Sequence, residues 1–290
     1  MSALSAAERD WPPYGGKVKI QVLGTFGAAV NGRSIVPTAG KPRQILALLA
    51  LRPGQVVPVT TLMEELWAAK PPQSGLATLQ TYILQLRRHL GGAMGPGAAR
   101  TAKEVLATRH NGYVMEVPAD CVDLHTYDLK VAEGRSAFEA GDDTVAADRF
   151  QQALALWRGP ALVDVRVGPV LRIEVMRLEE SRLGTVERRI DADLRLGRHT
   201  ELIPELTELT ARHPQHEGLH SQAMVALYRS GRQASALDVY RGLRVRLIEE
   251  LGVEPSPQMQ RLHQAMLVVD PRLGVIAGPR PVSTFDLYAA

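Results

Sequence analysis

From residue 75 to residue 90 the chain reads GLATLQTYILQLRRHL, and its polar side chains are sorted by position. At 100° per residue, Leu79, Ile83, Leu86 and Leu90 fall within about 60° of one another, as the apolar stripe of a helix does. Thr81, Leu84, Gln85 and Arg88 lie opposite, with Tyr82 among them in sequence and Arg87 at the flank. Gln bonds adenine through two atoms, the Arg fork bonds guanine, and Thr offers a hydroxyl beside a methyl that meets thymine. That chemistry suits base edges in a major groove. Leu84 has two readings: it packs on a thymine methyl, or it fills a gap beside the preceding helix. Arg87 and Arg88 also have a plainer role, because cations near a helix C-terminus complement its dipole.

Three further cations belong with this face. Arg109 sits beside the turn of a short hairpin, where one cation can enter a minor groove. Lys41 and Arg43 open an earlier helix, where charge would add phosphate affinity without sequence choice; a solvated helix start explains them equally well. His89 and His110 can do no more than touch phosphate.

The elements that must hold these residues are legible in order. Lys17 to Val36 alternates in short apolar runs around Asn31-Gly32, a two-residue hairpin signal, and predicts a small antiparallel sheet. KPRQILALLALRPG has helical spacing and stops at Pro53-Gly54. A second helix is expected from the cap candidates Thr60 and Thr61 to Trp67, and AAKPPQSG breaks it. The third runs from about Gly75 to Leu90 and is expected to end at Gly91-Gly92. A Gly/Pro/Ala loop then leads to EVLATRHNGYVMEV, two strands turning at His110-Asn111-Gly112. Sheet, three helices and hairpin is the layout of a winged helix-turn-helix.

Charge divides the chain in the same place. Up to Pro118 there are 13 Lys and Arg against 6 Asp and Glu, a balance of +7; the rest has 21 against 25, a balance of −4. The basic part is the candidate for a polyanion partner.

Beyond Asp123 helix signals dominate to about Asp270. Gly141, Gly197 and Gly231 each precede a small or apolar residue by five positions (Ala146, Leu202, Ala236) and a larger one by nine (Phe150, Leu206, Tyr240). Stacked helical hairpins have this grammar, and the 34 residues from Gly197 to Gly231 equal the tetratricopeptide period. The longer first interval leaves room for an insert around Trp157 to Pro169. Its sequence, WRGPALVDVRVGP, is expected to dock back on the N-terminal half. The fold class expected is therefore mainly α: an N-terminal winged helix-turn-helix (α+β) followed by an all-α tetratricopeptide-like repeat domain. The boundaries read as a tail over 1–16, a DNA-binding domain over 17–118, helical repeats over 119–270, and a tail over 271–290.

Several function classes find no support. There is no GxxxxGK[ST] phosphate loop, no HExxH zinc helix and no GxSxG elbow, so an enzyme is not expected. One cysteine, Cys121, excludes an internal disulfide and a Cys-rich zinc site. His213, His216 and His220 have a helical spacing, yet Pro214 puts His213 at a helix start and no carboxylate or thiol joins them; neither metal nor cofactor is expected. No apolar run is long enough to span a membrane and the N-terminus lacks a secretory pattern, which together suit a reducing cytoplasm.

The segments TLQTYILQLRRHL and LATRHNGYVMEV resemble the winged helix of OmpR-like response regulators, the type of domain that serves as the output of two-component phosphorelays. Further on, ALALWRGPAL, RLEESRL, LRLGRHTELIPELTEL and HPQHEGLHSQAMVALYRSGRQASALDVYRGLRVRLIEELGVEPSP resemble the bacterial transcriptional activator domain. From about Lys17 to Asp270 the chain thus resembles the SARP family, the Streptomyces antibiotic regulatory proteins. The resemblance implies an activator of a secondary-metabolite gene cluster, with no cofactor. It implies binding to direct repeats in promoter DNA as two protomers, a homodimer on DNA, and recruitment of RNA polymerase through the primary sigma factor. Thr81, Tyr82, Leu84, Gln85, Arg87 and Arg88 fall on the family's base-reading helix and Arg109 on its wing. The loop Ala68 to Ser74 falls where such proteins meet polymerase. At Leu84 and Gln85 this sequence departs from response-regulator relatives, where basic residues are common. The rival reading is a helical-repeat adaptor acting through protein–protein contacts.

Overall fold

The structure is a computed structural model, and it describes residues 17–273. The two expected tails lie outside the described residues, apart from 271–273. Within that range one compact unit comprises residues 17–129 with 155–181, and a second comprises 130–154 with 182–273.

The first unit opens with an antiparallel sheet, β1 (Val18–Gln21), β2 (Gly27–Val30) and β3 (Arg33–Ser34), in that order. Asn31 and Gly32 turn β2 into β3 at φ 53° and 76°, the positive values that select Asn-Gly. Next comes α1 (Gly40–Ala50), buried along its whole length from Gln44 onward, which is why its sequence is apolar on every side. After β4 (Val57–Pro58) comes α2 (Val59–Trp67), whose N-cap is Pro58. Thr60 and Thr61 are therefore inside the helix rather than caps.

The next helix, α3 (Gly75–Met94), does not end at Gly91-Gly92. It continues through both and stops at Gly95, at φ 110°. A fourth helix that the sequence reading missed, α4 (Ala99–Val105), occupies part of the expected loop and first strand. Packing decides it: Ala102 and Val105, three apart on one face, are fully buried. The wing follows as β5 (Leu106–Arg109) and β6 (Gly112–Met115), joined by His110-Asn111, in a sheet of order β4-β6-β5. A Cβ on Gly112 would come within 2.5 Å of the Val57 carbonyl oxygen, so β4 and β6 meet only because that residue is glycine.

The chain continues as α5 (Asp123–Ala140), α6 (Asp143–Leu154) and α7 (Pro169–Arg195). Residues 155–168 are the insert, and they pack on the first sheet as their composition suggested. The Arg158 and Leu162 amides donate to the Leu23 and Val22 carbonyls at 3.0 and 3.2 Å. Trp157 is buried edge-on against Tyr127, with ring centroids 5.7 Å apart.

The second unit completes the helices with α8 (His199–Arg212), α9 (Glu217–Arg229), α10 (Gln233–Leu251) and α11 (Pro257–Leu267). Gly141, Gly197 and Gly231 have φ of 79°, 81° and 75°. At each, the glycine N–H reaches three residues back and the next N–H five back, for example Arg232 to Leu227 at 2.9 Å; this is the Schellman cap. The residues five and nine positions later are all buried. The repeat grammar is thus a shared cap followed by a shared packing pair.

Candidate nucleic-acid interface

The α3 helix presents the two faces expected of it. Leu79, Ile83, Leu86 and Leu90 are no more than 1% exposed. Thr81, Leu84 and Arg88 are exposed, while Tyr82, Gln85 and Arg87 are half-buried. Leu84 keeps 45% of its surface open, which leaves it on the outer face rather than in a gap beside α2. The Thr81 hydroxyl donates back to the Ala77 carbonyl at 2.9 Å, so its methyl and oxygen lone pairs remain for an outside partner.

Arg87 has a different position from Arg88. Its Nε donates to the Leu106 carbonyl and its Nη2 to the Thr108 hydroxyl, both at 2.9 Å, which ties α3 to the first strand of the wing. Burial lowers its pKa, with the nearby Tyr113 acting weakly the other way; a guanidinium stays protonated at neutral pH regardless. Arg88 has no ion-pair partner among the described residues. Arg109 stands at the wing tip, loosely paired with Glu116 at 3.6 Å.

Lys41 and Arg43, the two expected phosphate contacts, are placed apart in role. The Lys41 ammonium lies over the Trp67 ring, 4.6 Å from its centroid. Arg43 is held inside the unit, bonded to the Pro37 carbonyl and ion-paired with Asp164 at 3.1 Å. The loop Ala68 to Ser74 is exposed throughout, and Ala68 takes a positive φ of 51° to leave α2.

Three carboxylates that the sequence reading passed over tie distant parts of the first unit together. Glu65 on α2 is 2% exposed, and its oxygens accept from the Gly168 and Leu171 amides at 2.6 and 2.8 Å. Those amides belong to the start of α7, where a carboxylate meets free N–H groups and the helix dipole. The Gln44 side chain of α1 donates to the same carboxylate. A Cβ on Gly168 would lie 2.0 Å from the Glu65 carbonyl oxygen, so the approach needs glycine. Asp164 accepts from the Phe26 amide at 2.7 Å, and Asp123 from the Val22 amide at 2.8 Å while pairing with Arg158. A signal for Glu65 existed: Leu62, Glu65 and Leu66 share a helical face, which places a charge on the side that must be buried.

No helix of the described residues is long and apolar enough to cross a membrane. No group of three or more His, Cys, Asp or Glu among them could hold a metal.

A winged helix whose α3 turns Thr81, Leu84 and Arg88 outward, followed by stacked helical hairpins, is the architecture of a class of transcription regulator. Residues 32–115 match the family described as transcriptional regulatory protein, C terminal, and residues 122–267 match the bacterial transcriptional activator domain. The regulatory protein DnrI of Streptomyces peucetius is 52% identical over 254 residues, which cover 88% of this chain and 93% of that protein. The transcriptional regulator RedD of Streptomyces coelicolor is 36% identical over 262 residues, covering 90% of this chain and 74% of that one. Among solved structures, Mycobacterium tuberculosis EmbR in complex with a low-affinity phosphopeptide matches with a TM-score of 0.81 at 31% identity, over 88% of this chain and 66% of that one. The chain belongs to the SARP family of transcriptional activators.

Proposed function

We propose that this protein activates a secondary-metabolite gene cluster by binding direct repeats in its promoters, as two protomers on DNA, and recruiting RNA polymerase. The observation that carries the reading is the α3 face: Thr81, Leu84 and Arg88 lie open, with Gln85 half-buried among them, opposite a stripe that is wholly buried. Tyr82 borders that face. Arg87 orients the wing as well as lying beside the groove, and Arg109 reaches for the minor groove. Lys41 adds charge near phosphate; Arg43, already paired with Asp164, is given no such contact. The exposed loop Ala68 to Ser74 is the surface offered to the primary sigma factor. Residues 17–118 supply DNA recognition and residues 119–270 the activating domain, and the protein works in the cytoplasm, where promoters are.

The test is a gel shift on promoter duplexes that the protein is found to occupy in a genome-wide map of its bound sites. Gln85→Ala and Arg88→Ala are each expected to cost about 1–3 kcal/mol of binding and to relax discrimination among operator variants. Promoter binding that survives both substitutions unchanged would refute the recognition face and favour an adaptor.

A further inference from the structure

Behind Arg88 the last turns of α3 border two concavities, of about 400 and 350 Å³. The first is lined by Arg33 and Ser34 of β3 with Arg88, His89, Gly92 and Ala93. The second is lined by Leu84, Arg87, Arg88, the glycines of the α3 end, and Lys103 of α4. Among the described residues, not one Asp or Glu lines either of them. Arg33, Arg88 and Lys103 are exposed and have no ion-pair partner among the described residues. Elsewhere many arginines of this protein are paired with carboxylates, so a charge-pure pocket edge is a local property. Its field favours an anion.

A second observation is independent of charge. Glycine is the poorest helix residue after proline, yet α3 runs through both Gly91 and Gly92. Packing does not require the glycine at 92: a Cβ there would meet nothing within 4 Å. The helical period places residue 92 on the line of Thr81, Leu84, Gln85 and Arg88, at the end of the outer face. A bare backbone at the end of a groove-reading helix makes sense when something from outside comes close to it. At the edge of a major groove that object is the sugar-phosphate backbone.

We infer that Arg33, Arg88 and Lys103, set around the bare turn at Gly91-Gly92, form a clamp for the DNA backbone at the edge of the groove read by α3. The inference rests on the proposed recognition face and extends it to residues on β3 and α4. Arg33 and Lys103 act without sequence choice, since phosphate contacts position the protein while base contacts specify. His89 borders the clamp.

The experiment measures binding of the full chain to promoter duplex and to an unrelated duplex by fluorescence anisotropy across a salt series. Arg33→Ala and Lys103→Ala are each expected to weaken both duplexes by the same factor, about threefold to tenfold, and to reduce the salt slope by about 0.9. Gly92→Gln is expected to leave the thermal midpoint equal or higher, because glutamine is a better helix former, while weakening DNA binding about tenfold. Stability and affinity moving in opposite directions separates a contact surface from a structural role. Wild-type affinity and slope in all three variants, with Gln85→Ala and Arg88→Ala still impaired, would overturn the clamp alone. Loss of effect in all five variants would overturn the recognition face with it. Inorganic phosphate that binds the wild-type chain but not Arg33→Ala, while DNA binding ignores Arg33, would assign the site to a small phosphate and overturn the DNA assignment.

Discussion

The two compact units are stabilised by contacts of different reach. In the first, carboxylates satisfy backbone N–H groups about a hundred residues away: Asp123 serves Val22, Asp164 serves Phe26, and Glu65 serves Gly168 and Leu171. In the second, the recurrent device is local, a glycine cap followed by two buried residues within nine positions, repeated at Gly141, Gly197 and Gly231. An ion-pair group adds to it, with Arg189 held by Asp193 at 2.9 Å and by Glu205 at 2.6 Å. Small sheets have open edges and short strands, and their unpaired donors must be met from elsewhere in the chain. Helical hairpins satisfy their own backbones and need only apolar faces to stack. The first unit should accordingly fail at single residues, and the second should lose stability in small steps.

The sharpest test of that contrast is Glu65→Leu. It leaves the Gly168 and Leu171 amides and the Gln44 side chain without their shared acceptor, and should cost about 3–5 kcal/mol in urea unfolding. The same substitution should weaken DNA binding, since α2 carries α3. A cost under about 1 kcal/mol would mean that water replaces these bonds easily and that the contrast is false.

Gly197→Ala and Gly231→Ala probe the other side. Each forces a Cβ into the left-handed region and should cost about 1–2 kcal/mol, with near-additive effects in the double variant. Losses as large as that of Glu65→Leu would show the caps to be more than local.

The smallest expected effect concerns Glu174, which pairs with Arg52 at 2.9 Å. Burial alone would raise its pKa, but hydrogen bonds from Arg52 and Arg177 outweigh burial and hold it below the usual carboxylate value. A depressed folded pKa contributes stability above the unfolded value near 4.5, and this is lost as pH falls through the lower folded value. Arg52→Ala should therefore destabilise the protein by less than about 1 kcal/mol at pH 7, with the difference closing below about pH 4. A gap between the two melting curves that is as wide at pH 3 as at pH 7 would remove the ion pair as its cause.

Local features are legible in the sequence alone. The leucine stripe of α3, the Asn31-Gly32 turn, the wing at His110-Asn111 and the three glycine caps each depend on residues within a turn or two of one another. Their physics is contained in a short window of sequence, and so the outer face of α3, with Thr81, Leu84, Gln85 and Arg88 turned away from the leucine stripe, was visible with them. Composition also marked the insert at Trp157 as foreign to the repeats around it. The rest was decided by tertiary structure. Gly91 and Gly92 read as a stop, but α3 passes through them and ends only at Gly95. Residues 99–105 read as loop and strand, but burial of Ala102 and Val105 makes them a helix. Arg43 and Arg87 looked like free cations, and only the folded chain brings Asp164 to one and the Leu106 carbonyl to the other. Side-chain type and spacing determined what this protein can touch; long-range pairing, which no local window contains, decided which of those groups are left open to touch it.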